Sequence, residues 1–335
     1  MSDVSSSSSP SSPSSPPSSP PSSPSPAPVD WKDQRVKIAI CTYRRPDLLE
    51  RLLRAVVDLH DKAQTTTLGV VVVDDSPDRE GSPVVQSLQA DTSLPIEYIG
   101  LGSQNIAQAR NTALEAALAG SDWVAFLDDD CAPHLDWLDR LFDVQHAHDA
   151  DIVTSGVRYV APPSAPSWLK EDHFIEDFNP YVDGDIPDHG CMANVLLRSS
   201  WFLEHPDVRF QRHLGQTGGE DMLFLDNAAG AGAVMRWSSS GLVDEQLAAE
   251  RLNLRYMLYR ALWYGNNNVL VNVQAGWSSR SRLLLRCGKR FLTLIVTTLA
   301  AIVRPKHFRW RKRLAELLHI VGMASGLVGV RLKHR

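Results

Sequence analysis

Four short apolar runs, each halted by polar or acidic residues, constrain this chain more than any other feature. They are "VKIAIC" (36–41), "LGVVVV" (68–73), "PIEYIG" (95–100) and "WVAFL" (123–127). Each is too short for a buried helix and, being apolar on both faces, reads as a strand covered on both sides. Helical patterns stand between them. Pro46 and Asp47 open one, with Leu48, Leu49, Leu52, Leu53, Val56 and Val57 along a single stripe. An alanine-rich segment at 104–119 forms another that Gly120 can terminate. The alternation predicts an α/β fold, a mostly parallel sheet flanked by helices. Residues 161–190 lack periodicity and read as a functional loop, 233–237 can return to the sheet, and helical patterning dominates from about Glu245 onward.

The two ends of the chain differ from this body. Residues 1–28 hold fifteen Ser and nine Pro. Such a segment cannot offset the entropy of ordering and is expected to be a disordered tether, without the marks of a secretory or transit signal. From Arg280 to the C-terminus fourteen Lys and Arg face one acid, Glu316, a net charge of +13 within a chain of net charge −5. The run 291–303, flanked by Lys289-Arg290 and Arg304-Lys306, and the run 314–330 are each shorter than a spanning helix. Apolar faces edged by Lys and Arg suit an anionic membrane surface; the alternative is a helix pair that completes the core. Nucleic acid fits poorly, since few aromatic residues interleave with the charge. The four cysteines are widely spaced, without a CxxC pair, and fit a reducing compartment.

Candidate chemistry lies where the strands end, because open α/β sheets bind ligands at the carboxyl edge. Three clusters should meet there: Thr42–Arg45, Asp74–Asp75 and Asp128–Asp130. Alternation along the chain can turn Asp128 and Asp130 to one side, and paired hard oxygen donors suit Mg²⁺ or Mn²⁺. Neither GxxxxGK[ST] nor a GxGxxG after the first strand is present, so a diphosphate would be held by metal and arginine. His134, His146, His148 and His189 show no ligand spacing joined to this rim and are not assigned to a metal.

The segments "VKIAICTYRRPDLLERLL", "VVVVDDSPD", "ARNTAL", "WVAFLDDDCAPHLDWL" and "GGEDMLF", in this order, resemble the family 2 glycosyltransferases over about residues 35–265. The resemblance implies a GT-A fold and an inverting, metal-dependent transfer from a nucleotide-diphosphate sugar, with UDP as the expected nucleotide and a hexose as the expected sugar. Val243–Gly265 looks most like bacterial enzymes of exopolysaccharide or cell-surface glycan biosynthesis. The resemblance places Thr42, Arg44 and Asp74 at the base and ribose, with Asp75 shaping the turn beside them. It also places Arg110 and Asn111 near the donor. Asp128 and Asp130 match the DxD positions, with Asp129 between them on the donor side. Asp130 would be the direct metal ligand, and Asp128 would contact ribose or a metal-bound water. Glu220-Asp221 matches the ED motif: Asp221 is the candidate base and Glu220 its supporting acid. Gly218 and Gly219 allow close approach of the acceptor. Asn194, Glu245 and Arg251 are further acceptor-side candidates, each with an ordinary structural role as the alternative. Gln211 departs from the pattern, standing where many relatives carry Asp.

Together these readings expect a Ser/Pro-rich tail at 1–30, a GT-A domain at 31–265 and a basic, apolar helical membrane-association segment at 266–335. The acceptor would be a glycan or a lipid-linked saccharide. The enzyme would work in the cytoplasm, at the inner face of the cytoplasmic membrane. The alternative function is a catalytically silent relative that binds a sugar nucleotide or glycan.

Overall fold

The computed structural model describes residues 30–65, 67–188, 190, 192–303 and 309–333. The Ser/Pro-rich segment up to residue 29, His189, Cys191 and the basic residues Arg304 and Lys306 lie outside them.

The four apolar runs form the parallel half of one sheet. β1 (Val36–Thr42) pairs with β2 (Leu68–Asp74) and with β4 (Trp123–Asp128), and β2 pairs with β3 (Ile96–Gly100), all parallel. β1, β2 and β4 are covered on both faces, so nearly every side chain in them is buried and the runs are apolar but for Lys37, whose ammonium reaches the Ala116 carbonyl. α1 (Pro46–Ala63) starts with Pro at its first position, where no N–H is needed. It buries Leu49, Leu52, Leu53, Val56 and Leu59 on one face of the sheet. α2 (Ser82–Asp91) joins that layer. α3 (Ile106–Leu118) covers the other face with Ala107, Ala109, Ala113 and Ala117, small enough to bring the helix close.

Beyond β4 the sheet turns mixed. β5 (Cys131–Pro133), α4 (Trp137–His148), β6 (Ile152–Val160), the short α5 (Trp168–Glu171), β7 (Asn194–Arg198), α6 (Ser199–Glu204), α7 (Glu220–Gly230) and β8 (Met235–Gln246) follow in order. The described residues form an eight-stranded sheet in the order β3-β2-β1-β4-β7-β6-β8-β5. β7 runs antiparallel to β4 and β6, and β8 runs parallel to β6 and antiparallel to β5. The strand expected at 233–237 extends to Gln246, past the point where helical patterning was expected to take over. The irregular stretch 161–190 covers this half: Phe178 and Tyr181 meet Trp237 edge-on.

Three helices close the chain: α8 (Leu254–Gln274), α9 (Arg280–Val303) and α10 (Trp310–Leu327). The boundary expected at 265/266 falls inside α8. α10 lies against α8 at backbone contact: a Cβ on Gly265 would overlap the His319 carbonyl, and one on Gly322 the Leu262 carbonyl. Asn266 ties the pair, its Nδ2 donating to Ser325 Oγ at 2.8 Å and to the Val330 carbonyl at 2.9 Å. Arg311 reaches Asp172 in the loop at 3.0 Å. α10 therefore follows the core-completing alternative. Among the described residues no helix is long and apolar enough to cross a membrane.

Candidate active site

The parallel registers carry the strand ends to one rim. Thr42 stands opposite Asp74, and Cys41 opposite Asp128. The acidic turn after β4 then divides its labour. Asp128 is the open member, its side chain 36% exposed, with Arg110 Nη2 3.1 Å from Oδ1. Asp129 turns inward and accepts from Thr42 Oγ1 and from Arg45 Nη1, each at 2.9 Å. Asp130 accepts from the same Arg45 nitrogen at 3.1 Å and pairs with Arg251 Nη1 at 3.6 Å.

β5 leaves this turn at once and pairs with the end of β8. Glu245 thereby stands opposite Cys131, and the Gln246 N–H donates to the Asp130 carbonyl at 2.8 Å. Burial, reinforced by the charges of Asp130 and Asp128, pushes the Glu245 carboxyl up to about 8. Burial likewise pushes Asp129 up to about 6 against the pull of Arg45, and it raises Asp130 with the help of Asp128's charge. Carboxylates that hold one another's protons on form a place where an added cation is welcome.

Arg110, on α3, is buried and joins this rim to the start of α7. Its Nη1 donates to Glu220 Oε1 at 2.7 Å while Nη2 donates to Asp128. Glu220 Oε2 is buried without a hydrogen-bond partner. Burial pushes Glu220 up to about 7; Arg110 opposes this and Asp221 adds to it. Asp221 is partly exposed beside it, in the first turn of α7. The turn before it runs through Gly218 and Gly219 at φ +87° and +88°, a region that side chains rarely adopt. A Cβ on Gly218 would lie 2.5 Å from Trp263, and one on Gly219 would overlap Val271, both on α8. The two glycines thus let α8 seat the acidic pair.

A family model described as "Glycosyl transferase family 2" matches residues 37–204. The chain is also 30% identical over 301 residues, 88% of its length and 94% of the other's, to "Succinoglycan biosynthesis protein ExoM" of Rhizobium meliloti (strain 1021). The chain belongs to glycosyl transferase family 2. Among solved structures, mannosyltransferase PcManGT of Pyrobaculum calidifontis, in complex with GDP-Man and Mn²⁺, superposes with a TM-score of 0.57 at 14% identity. That match covers 88% of this chain and 87% of that one. TarS 1-349 of S. aureus, in complex with UDP, gives 0.50 at 15% identity over 88% and 92%. At these identities the likeness is one of fold.

In this family 2 glycosyltransferase the structure brings two sets of contacts together at the acidic turn after β4: Thr42, Asp129, Asp130 and Arg251 through Arg45, and Asp128 and Glu220 through Arg110, with Glu245 beside the turn and Asp221 next along α7. Other expected residues are occupied elsewhere. Asp74 is fully buried, accepting from the Ser76 and Gly81 N–H groups and from Tyr98 Oη, so it organises the turn after β2 rather than facing a base. Asp75 accepts from the Ser103 and Asn105 N–H groups, so it ties the loop before α3 to the end of β2 rather than shaping its own turn. Asn111 braces Phe210 through both its amide atoms. Asn194 is fully buried: it accepts from Trp137 Nε1 at 2.9 Å and donates to the Gly156 and Gly241 carbonyls, leaving nothing for an acceptor. Arg44, at φ +55°, points outward toward Asp78. Its neighbour Arg45, expected at the rim only as the end of the Thr42–Arg45 cluster, takes the inward place. The doubled arginine in "TYRRPD" was the available signal, but nothing in it says which guanidinium turns in. Arg51 was missed; it donates to the Asp130 carbonyl.

Proposed function

We propose that this chain transfers a hexose from a nucleotide-diphosphate sugar, UDP-linked, to a glycan or lipid-linked saccharide, inverting the anomeric carbon. Its place would be the assembly of an exopolysaccharide or another cell-surface glycan at the inner face of the cytoplasmic membrane. The observation that carries the reading is Arg110, one buried guanidinium bonded both to Asp128 at the donor rim and to Glu220 beside the candidate base. The thirty-percent likeness to a succinoglycan biosynthesis protein supports the glycan class.

Mg²⁺ or Mn²⁺ fits the residues present. Among the described residues no three His, Cys, Asp or Glu side chains close a cage around one point. A pair of carboxylates is nonetheless what a hard cation needs when substrate phosphates and water complete its shell; of this pair Asp128 is open, while Asp130 is buried against Arg45 and Arg251. Asp130 and Asp128 would hold it; the raised Glu245, pushed up by burial and then by these two carboxylates, is consistent with added positive charge being favoured there. When bound, the ion would neutralise the departing diphosphate. Arg251 and Arg45, already at the rim, would add positive charge for the same group. Asp221 would take the proton of the attacking hydroxyl, while Glu220, held by Arg110, keeps the first turn of α7 in place. A displacement with one base and no covalent sugar intermediate inverts the centre.

The test is a panel of UDP- and GDP-sugars incubated with the full chain and Mn²⁺, followed by product NMR. Turnover of a UDP-hexose to a product of inverted anomeric configuration is expected. Tight donor binding with neither transfer nor hydrolysis across the panel would favour the silent-relative alternative.

A further inference from the structure

α9 and α10 are both apolar and basic by sequence, yet the fold uses them differently. α10 spends its small residues on α8. Among the described residues α9 meets the body through a strip that includes the buried Leu283, Cys287 and Ala301 and the half-buried Leu294 and Thr297. Leu284, Leu285, Phe291, Leu292, Val296 and Leu299 stay exposed, Leu285 by 74% and Leu292 by 62%. Projected at the ~100° per residue of an α-helix, these six fall within an arc of about 140°. Scattered exposed leucines need no explanation, but a continuous stripe two-fifths of a helix wide does.

The charges on α9 complete the pattern. On the same projection Lys289, Arg282, Arg286 and Arg290 run from one edge of the apolar arc to the buried strip, and Arg280 lies beyond the other edge. All five are exposed, and no acidic residue occurs between Arg280 and Val303. The helix therefore has three sectors: one docked on the protein, one apolar and bare, one cationic.

We propose that α9 lies in the plane of an anionic lipid surface, its apolar arc among the acyl chains and its arginines at the headgroups. This deepens the proposed reading of a membrane-bound acceptor and rests on it. Charge decides the occupant. A second copy of the chain would bring another α9 without one carboxylate for these cations, whereas phosphate headgroups supply them. The Ser/Pro-rich N-terminus offers few apolar side chains beyond its prolines and a single acid, Asp3. α9 is also too polar in its first turns to cross a bilayer, which leaves the in-plane orientation.

The experiment is co-sedimentation of the full chain with vesicles of phosphatidylglycerol and phosphatidylcholine, or of phosphatidylcholine alone, at low and high salt. Pelleting is expected with the anionic vesicles, weakened but not abolished by salt, because only the headgroup attraction is screened. R282Q/R286Q/K289Q should reduce partitioning at low salt by about a hundredfold, at roughly fivefold per basic residue. L285E/L292E/V296E changes only exposed side chains, and it should abolish pelleting while nucleotide binding stays as in the wild type. Donor binding and vesicle binding are read separately, so failure of the transferase reading would not pass for failure of this one. A wild-type chain that stays in the supernatant at low salt would overturn the proposal. So would a triple-glutamate variant that pellets normally, or a dimer in light scattering that the glutamates dissociate.

Discussion

Replacing Arg110 with Met removes the charge that spans the site while keeping much of the stem's packing. Two pairs are lost. The Asp128 arm counts for little, because that carboxylate is more than a third exposed and water screens it. The Glu220 arm is buried on both sides, and breaking such a pair costs ~3–5 kcal/mol when the remaining acid stays charged. Glu220 has an escape, since burial already pushes it up to about 7 from an ordinary 4.5, and losing Arg110 pushes it higher. With its folded value raised, Glu220 makes its full contribution to stability below about pH 4.5 and loses it as pH rises through 7. In the variant that decline continues past 7, so the gap to wild type should widen by ~1.4 kcal/mol for each further unit of displacement. The expected destabilisation is about 1–2 kcal/mol near pH 5, the loss of a hydrogen bond to a neutral acid, and about 3 kcal/mol at pH 8. Urea unfolding of both proteins at the two pH values measures it. A gap that is equal at both, or larger at pH 5, would refute the account of Glu220 as a buried acid held down by Arg110.

Asp221→Asn should lower turnover by roughly 10²–10⁴-fold with little change in donor affinity, as steady-state kinetics and nucleotide titration can show. Gly219→Ala forces a side chain onto Val271 at φ +88° and should destabilise the fold by ~1–3 kcal/mol, read as a lower melting temperature. Asn194→Ala strands the Trp137 indole and two carbonyls, so it should cost ~2–4 kcal/mol in stability while turnover per folded molecule stays near wild type. A chain ending before Trp310 uncovers the α8 face that carries Gly265 and Asn266, and it should fail to give a cooperative melt.

The parallel half of the fold was legible because strands buried on both faces are apolar at nearly every position, and 36–41, 68–73 and 123–127 are so but for Lys37. β6 and β7 were not found. β6 carries Ser155 and Gly156 at a bulge in its pairing with β8, which breaks the apolar run, and β7 is five residues long. β8 was cut short because Ser238–Gly241 reads as a turn. In the structure these residues pair or bond to β6 and α4, with the Ser238 carbonyl accepting from Ser155 and the Ser238 hydroxyl donating to the Arg140 carbonyl.

At the site, residue types could be read but not their directions. Asp128 and Asp130 reach the rim because the strand ends there, a local fact. The turning of Arg45 rather than Arg44 toward them depends on a left-handed backbone at Arg44, whose N–H donates to Ser76 in the turn after β2. Asn194 was legible as a buried-strand asparagine only to a reader who knew that Trp137, Gly156 and Gly241 converge on it. The same holds for the tail. α9 and α10 have similar composition, and only the glycines that meet α8 tell the packed helix from the bare one.

Binding of a nucleoside diphosphate at the acidic rim is the step on which everything else depends. Calorimetric titration of UDP into the full chain and into D130A, each with Mn²⁺ and again with chelator, measures it most directly. Binding by the wild type with Mn²⁺, a large loss on chelation, and a weak response of D130A under either condition are expected. Equal affinity for UDP with and without metal, unchanged by D130A, would contradict this reading.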